Sequence, residues 1–359
     1  MYDEQPAMYD LEFPSPEITN PAPDGPTLVI ALDGYADAGH AVGGSADHLL
    51  AALEHRPIAT FNVDELIDFR SRRPGVTISD SEIIDVESLE LSMDVVRDSR
   101  GQSFLLLSGP EPDLRWGAFS QAVADLAQKF NVDKVIALYG VPMAVPHTRP
   151  TVVSGHSNSP ELIQRVVNWD GRFQVPGSAS LNLEKTLADR GHRVAGYSVQ
   201  VPHYITQSPY PRAMLKLLQT VEVNAQLRFP LGTLEADTVR IDEQLAEQTE
   251  ASREIQQVVH ALEEQFDQEA QRHRERNPQG ILPGEENLPQ GRKSALSLSN
   301  SSPLSTPPVS PARRIRFLMI RIQLETTITT MMLDATENRT RILLLRTNPE
   351  SSIRGPLPT

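Results

Sequence analysis

The chain has 359 residues and a formal net charge of -14 at pH 7. Phosphate backbones and anionic lipid surfaces repel such an acidic protein, so neither nucleic acid nor a membrane is expected as a main partner. Cysteine is absent, which excludes disulfides, thiolate catalysis and cysteine-ligated metal sites.

Residues 1–26 combine many prolines with Asp, Glu, Asn and Gly, a composition that resists regular structure, so we predict a disordered leader. The same residues lack the basic and then apolar stretch of a secretory signal, and we expect a cytoplasmic protein. The stretch 317–333 is partly apolar but contains Arg321 and Glu325. It would place charges inside a bilayer and is not predicted to span one.

Short apolar runs alternate with helical patterns from residue 27 onward. The runs TLVIAL, SFLLL and KVIALY are continuously apolar, which is typical of strands covered on both faces. We predict strands at 27–32, 57–63, 103–107, 134–139 and 193–201, and helices at 41–53, 114–130, 160–167, 179–190 and 211–227. Residues 76–96 add a possible hairpin. The alternation predicts an α/β domain over 27–232, a three-layer sandwich with a mostly parallel or mixed central sheet.

Neither proline nor glycine occurs from 234 to 276, and this absence predicts a C-terminal helical arm over 233–277. Apolar residues recur there with the alternating spacing of a coiled coil, and we take six of them as candidate interface positions: Ile241, Leu245, Ile255, Val259, Leu262 and Phe266. Polar residues at two further positions of the same seam weaken this pattern. An amphipathic helix docked on its own domain is the favoured interpretation, and a partner-binding or self-associating arm is the alternative.

Residues 278–359 change to a basic, Ser/Thr-rich and proline-broken composition. Since no apolar period runs through them, we predict a disordered tail. Two origins stay open for residues 291–359: a lineage-specific extension, or a shift of reading frame in the gene that replaced the native end.

Polar residues follow three predicted strands, in the turns that begin at Asp33, Gly109 and Gly140. Turns after parallel strands share one edge of a sheet, so these side chains are expected to line a common crevice. The candidates, with two later histidines, are Asp33, Asp37, His40, Glu111, Arg115, His147, Arg149, His156 and His203.

These residue types could supply an acid, a base or metal ligands, with Arg149 as an anion clamp. The spacings match no phosphate-binding loop and no nucleophile elbow. Proline-rich turns with an embedded arginine more often fix the shape of a loop. We therefore favour structural or interface roles over catalysis, and we predict no cofactor and no metal.

Two segments resemble the bacterial branch of the proteasome assembly chaperone 2 family: GPEPDLRWGAF at 109–119, and ALYGVPMAVPHTRP at 137–150 followed by SGHSN at 154–158. The resemblance covers about residues 27 to 285. It implies a fold similar to nucleoside phosphorylases and nucleoside hydrolases, and self-association, for example as a trimer. Some relatives dock on proteasome rings through a C-terminal hydrophobic-tyrosine-any tripeptide. This chain ends Leu357-Pro358-Thr359, which departs from that pattern.

Taken together, these observations predict a protein-binding or assembly-chaperone-like factor that acts as a homo-oligomer on an unidentified protein client. The alternative is a nucleoside-like hydrolase or phosphorylase that uses the polar turns at the carboxyl edge of the sheet.

Overall fold

The computed structural model describes residues 8–19, 21–168 and 172–276. Eleven strands lie within these ranges: β1 (Tyr9–Leu11), β2 (Thr27–Asp33), β3 (His55–Phe61), β4 (Val76–Ser79), β5 (Glu82–Val86), β6 (Ser92–Arg97), β7 (Ser103–Pro110), β8 (Lys134–Met143), β9 (Val153–Ser157), β10 (Val167–Asn168) and β11 (Arg193–Pro202). The helices of the same ranges are α1 (Gly43–Ala52), α2 (Val63–Leu66), α3 (Trp116–Lys129), α4 (Ala179–Asp189), α5 (Pro211–Ala225), α6 (Gly232–Ala251) and α7 (Arg253–Arg276).

Nine of these described strands form one sheet in the order β1-β3-β6-β7-β2-β8-β11-β9-β10. The four central strands β7, β2, β8 and β11 are parallel. Strands β6, β3 and β1 extend the sheet in antiparallel fashion on one side, and β9 pairs antiparallel with β11 on the other. The predicted mixed α/β sandwich is confirmed.

The central strands are apolar throughout because helices cover both faces of the sheet. In β2, Leu28 and Ile30 contribute to the core beneath α3, where they pack with Phe119 and Leu126. Val29 and Ala31 alternate with them and are equally buried, towards the face on which α1 lies. Helices α3 and α4 therefore form one outer layer, and α1 and α5 form the other.

The predicted helix at 160–167 is wrong. Only a 3-10 turn forms at Pro160–Leu162, and Val167–Asn168 is a strand. Ser159 makes no side-chain capping bond, and the β-branched Ile163, Val166 and Val167 favour extended backbone over such a short helix. Strand β9 was not predicted either, because its Ser and Gly residues have low β propensity.

Part of the predicted leader is ordered, since Tyr9–Leu11 pairs with β3 at the edge of the sheet. The predicted hairpin of 76–96 divides in two. Strands β4 and β5 form a separate two-stranded sheet, whereas β6 joins the large sheet. The predicted tail at 278–359 lies outside the described residues.

The predicted arm is a pair of helices, α6 and α7, joined at Ser252, whose backbone is extended. Four of the six candidate interface residues are buried within the single chain: Ile241, Leu245, Val259 and Leu262. Ile255 and Phe266 are half-buried. This burial agrees with the favoured interpretation, an amphipathic helix docked on its own domain.

Candidate functional site

The nine candidate residues do not converge on one crevice. The turns after β2, β7, β8 and β11 do share the carboxyl edge of the sheet, as their parallel registers require. Their polar side chains nevertheless lie in separate clusters, and each cluster has a different environment.

Asp33 and Asp37 form a carboxyl pair at the start of α1. Asp37 Oδ1 accepts a hydrogen bond from the backbone N–H of Val42 at 2.6 Å, and Oδ2 accepts one from Gly43 at 3.3 Å. The pKa of the Asp37 carboxyl is raised to about 7, mainly by burial; the charge of Asp33 and a hydrogen bond with it also raise this pKa, whereas the two amides lower it. With a pKa near neutrality, the Asp37 carboxyl can act as an acid or a base.

Asp33 also lines a cavity of about 660 Å³. Ligand sites commonly have volumes of about 300–1,000 Å³. Its walls come from β2, α1, β7 and the loops before and after the β4–β5 hairpin: Ala31, Asp33, Gly34, Gly43, Ala46, Asp47, Leu50, Arg72, Arg73, Leu89, Glu90, Ser92, Ser108, Gly109 and Pro110. The cavity thus combines carboxylates, guanidinium groups and hydroxyls.

Glu111 is buried beside this pair but is used in the structure itself. Its Oε2 accepts a hydrogen bond from the backbone N–H of Tyr35, and its Oε1 accepts one from Ser180, both at 3.1 Å. Ser180 lies in the first turn of α4, where a carboxylate satisfies unpaired N–H groups. A Cβ on Gly34 would come within 2.4 Å of Glu111 Oε2. Glu111 therefore ties the turn after β2 to α4.

His147 and His203 flank Tyr204 after strands β8 and β11. The Tyr204 Oη lies 2.7 Å from His147 Nδ1 and accepts a hydrogen bond from the His147 backbone N–H at 2.9 Å. Burial lowers the pKa of His147, and the nearby Arg212 lowers it further. His203 is half-buried, and its Nδ1 lies 3.3 Å from the Met143 carbonyl oxygen.

Arg149 fastens the turn after β8 to helix α7. Its Nε and Nη2 donate to the two carboxylate oxygens of Asp267 at 2.9 and 2.8 Å, and its Nη1 donates to Glu263 at 3.0 Å. Thr148 also donates to Glu263, at 2.5 Å. The guanidinium is thus engaged with the arm and does not act as a clamp for a bound anion.

His156 belongs to a third cluster, on the side of the sheet where α4 packs. Its Nε2 lies 3.0 Å from Glu184 Oε2, and Glu184 Oε1 accepts a hydrogen bond from the buried Tyr139 hydroxyl. The bond to Glu184 raises the pKa of His156, whereas burial raises that of Tyr139 well above its ordinary value. A Cβ on Gly196 would lie 2.3 Å from the His156 ring. Any larger residue at position 196 would therefore clash with the imidazole, and glycine leaves the space that the ring occupies.

Arg115 and His40 lie outside all of these clusters. Arg115 precedes α3 and forms an ion pair with Glu65. His40 is exposed, and its imidazole has no hydrogen bond or ion pair with the described part of the chain. Neither side chain contributes to the cavity.

A second candidate surface is the β4–β5 hairpin, where every strand residue is exposed. Val76 pairs with Val86, and Ile78 pairs with Ile83. Val76 and Ile78 share a face of β4 because side chains alternate along a strand, and Val86 and Ile83 share that face because they lie directly opposite them. A register shift between the two pairs accommodates the extra residue Ile84. We call this surface the apolar hairpin face. Its four side chains are between 51% and 65% exposed. A two-stranded hairpin without a packed face has little stability of its own, so an exposed face of this kind indicates a binding surface.

Sequence reasoning missed several of these residues. Arg72, Arg73 and Ser108 line the cavity, but they carry no motif and come from a loop and a strand whose placement only the fold gives. Tyr204 had one available signal in the sequence: it directly follows Val201-Pro202-His203, which repeats Val145-Pro146-His147. The exposure of the hairpin could not be read from its alternating apolar residues, which equally suit a half-buried strand.

Among residues 8–19, 21–168 and 172–276, no group of three or more His, Asp or Glu side chains is arranged to hold a metal ion. In the same ranges, no helix has the length and apolar character needed to cross a bilayer.

Solved structures similar to this chain include two bacterial proteins of unknown function. One, from Corynebacterium glutamicum, is 57% identical, covers 75% of this chain and 100% of its own, and has a TM-score of 0.72. The other, Rv2714 from Mycobacterium tuberculosis, is 47% identical, covers 73% and 92%, and has a TM-score of 0.71.

A third similar structure is that of Rv2125 from Mycobacterium tuberculosis, described as a proteasome-assembly chaperone homologue. It is 26% identical, covers 65% of this chain and 99% of its own, and has a TM-score of 0.60. No functionally curated protein matches the chain. The family model of the PAC2 family matches residues 31–249. Because that match spans more than half of the sequence, the chain belongs to the PAC2 family.

Proposed function

We propose that the chain is a protein-binding, assembly-chaperone-like factor that works as a homo-oligomer. Membership of the PAC2 family supports this role, and so does the similarity to a protein described as a proteasome-assembly chaperone homologue. The observation that carries the proposal is the apolar hairpin face, whose side chains no other part of 8–19, 21–168 or 172–276 covers.

The hairpin gives such a factor a surface that can pair and pack with another protein. Four aliphatic side chains lie together on one face, and strands at an open edge offer unpaired backbone groups. Apolar patches rimmed by polar residues typically mark sites of protein association. His147 and Arg149, in the turn after β8, already have partners within the chain: His147 contacts the Tyr204 hydroxyl, and Arg149 pairs with α7.

The test is affinity capture of the full chain from its native host after cross-linking, with two matched variants. Ile78→Thr with Ile83→Thr keeps β-branching but removes apolar surface from the apolar hairpin face. Thr77→Ser with Ser79→Thr changes the opposite face conservatively. We expect a stoichiometric client with the wild type and the second variant, and its loss with the first. A client retained equally by all three proteins would contradict the proposal.

A specific observation also supports a second candidate function, a small-molecule hydrolase or phosphorylase. The pKa of Asp37 is raised to about 7, next to Asp33 and a cavity of about 660 Å³. A screen of nucleosides, with and without inorganic phosphate, tests this function. An acid or base contributes about a hundredfold or more, so Asp37→Asn should lower any turnover by that factor, while Asp80→Asn on the hairpin turn should not. Turnover that survives in Asp37→Asn would exclude this pair as its acid or base.

A further inference from the structure

The cavity beside Asp33 has a floor of small side chains. The strand registers place Ala31, Ser108 and Ser92 side by side on β2, β7 and β6, on the face of the sheet towards α1. Because protein interiors are closely packed, larger aliphatic residues at these three positions would fill the space above the sheet. The small residues therefore account for the cavity of about 660 Å³.

Ser108 is a polar group at this floor that lacks a partner. It is 5% exposed and lines the cavity, and its hydroxyl makes no hydrogen bond with any residue that the structure describes. Next to it, the Ser92 hydroxyl donates to Asp94 Oδ2 at 2.6 Å and can still accept a hydrogen bond. Buried polar groups are nearly always hydrogen-bonded. The Ser108 hydroxyl therefore indicates that a polar molecule occupies the cavity.

The wall of the cavity has an acidic and a basic part. Asp33 and Asp47, from the end of β2 and from α1, form the acidic part, and Arg72 and Arg73 form the basic part. Arg72 is engaged within the chain, since its Nη1 donates to the Asp33 carbonyl oxygen at 2.7 Å and its Nε lies 3.8 Å from Asp113. Arg73 has no hydrogen bond or ion pair with the described residues. Its guanidinium is thus available to an anionic group of a ligand.

A phosphate-bearing ligand does not suit this wall. Helix N-termini commonly bind phosphate, but at the start of α1 the N–H groups of Val42 and Gly43 donate to Asp37. With Glu90, three carboxylates line the cavity against two guanidinium groups. These carboxylates repel a doubly charged anion, and they favour a ligand that carries an ammonium group.

The wall also has an apolar part. Leu50 of α1 and Leu89, in the loop after the hairpin, line the cavity and are half-buried. Ligand sites typically combine such aliphatic surface with a few polar groups that fix the orientation of the ligand. Carboxylates, one available guanidinium, hydroxyls and aliphatic surface together match an amino acid with an aliphatic side chain.

We propose that this cavity binds a small zwitterion with an aliphatic side chain, a free α-amino acid or a short peptide, with its ammonium group at Asp33 and Asp47 and its carboxylate at Arg73. Binding of this ligand requires neither turnover at the carboxyl pair nor a client at the hairpin, so it goes beyond both candidate functions.

The ligand class is tested by isothermal titration calorimetry of the full chain with leucine, leucyl-leucine, N-acetyl-leucine and leucinamide. We expect leucine or leucyl-leucine to bind with a Kd below about 1 mM, and the tighter of the two identifies the free amino acid or the peptide as the ligand. N-acetyl-leucine lacks the ammonium group and leucinamide lacks the carboxylate, so each should bind about tenfold or more weakly than leucine. Absence of binding by both zwitterions would overturn the proposal, as would equal binding of the two derivatives.

The position of the ligand is tested with two variants at exposed residues of the wall. Arg73→Gln should weaken binding of the zwitterion about tenfold or more and leave leucinamide unaffected. Asp47→Asn should also weaken the zwitterion and should not weaken N-acetyl-leucine further. Arg70→Gln and Asp85→Asn are the matched controls, because neither residue lines the cavity, and they should bind as the wild type does. Unchanged binding in both wall variants would place the ligand elsewhere and overturn the proposal.

Nucleosides in the same titrations separate this proposal from the second candidate function. A nucleoside that binds through Arg73 or Asp47, without binding of either zwitterion, would overturn the proposal and leave the nucleoside alternative standing. Binding of a zwitterion that depends on both residues, without turnover of any nucleoside, would support the proposal and contradict that alternative.

Discussion

The helical arm and the β4–β5 hairpin both carry rows of aliphatic residues, but they place them differently. Val259 and Leu262 of the arm are 5% and 8% exposed, whereas Ile78 and Ile83 of the hairpin are 65% and 64% exposed. The arm thus uses its apolar side chains to dock on its own chain, and the hairpin leaves them available. An apolar period therefore indicates that a surface needs a partner, and the fold decides whether that partner lies in the same chain.

The difference between the arm and the hairpin is tested most directly by placing a charge in the apolar row of each. Leu262→Asp should lower the free energy of unfolding by about 3 kcal/mol or more, because it removes a buried aliphatic group and buries a carboxylate. The matched change Ile83→Asp should alter it by less than about 1 kcal/mol, since position 83 is exposed. Denaturant unfolding under conditions where the wild type is monomeric measures both values. Equal losses would show that the hairpin, too, packs on its own chain.

Asp37, in the carboxyl pair beside the cavity, should make the stability of the folded state depend on pH. The folded pKa of Asp37, about 7, lies above the ordinary aspartate pKa of 3.8, so the unfolded chain releases this proton at a lower pH than the folded chain does. Between about pH 4 and 7 this carboxyl therefore makes the folded state less stable as pH rises, and the effect is complete above pH 7. Asp37→Asn mimics the protonated form and should become more stable relative to the wild type across that window, by about 1 kcal/mol or more.

Thermal unfolding of the wild type and of Asp37→Asn from pH 4 to 8 measures this difference. Asp80→Asn on the exposed hairpin turn is the control and should follow the wild type. If the difference in stability between Asp37→Asn and the wild type stays constant with pH, the pKa of Asp37 is not raised in the folded protein.

A smaller loss of stability is expected from a change at Tyr204, which contacts the turn after β8. Tyr204→Phe removes the hydroxyl oxygen that accepts from the His147 N–H and leaves that buried donor unpaired, which should cost about 1 to 2 kcal/mol. Tyr35→Phe is the control, because Tyr35 is exposed and its hydroxyl should contribute less than about 0.5 kcal/mol. Chemical denaturation distinguishes the two. A loss no larger than that of the control would show that water replaces the missing bond.

Sequence patterns predicted the central sheet well because its strands are covered on both faces and remain apolar without interruption, as in 27–32 and 134–139. They failed at 160–167, where β-branched residues outweighed a helix-like proline start and Val167 pairs at the sheet edge. They also failed at β9, whose Gly155 is needed because a Cβ there would come within 2.6 Å of Val166. Such a requirement arises from the packed neighbour and has no counterpart in the local sequence.

The candidate site was predictable only in part. Strand ends correctly placed polar turns at one edge of the sheet, and Asp33 and Asp37 do meet there. Separate clusters formed because helices reach some turns and not others: α7 engages Arg149, and the start of α4 engages Glu111. These long-range pairs join residues more than sixty positions apart, a distance over which periodicity and turn chemistry carry no information.

Hydrogen exchange of the full chain, followed peptide by peptide with and without the captured client, tests most directly whether the hairpin and not the arm binds the client. The account predicts that amides of 76–86 exchange more slowly when the client is bound, while those of α7 around Val259 and Leu262 are protected equally in both states. Client-dependent protection in α7, with none in 76–86, would contradict it.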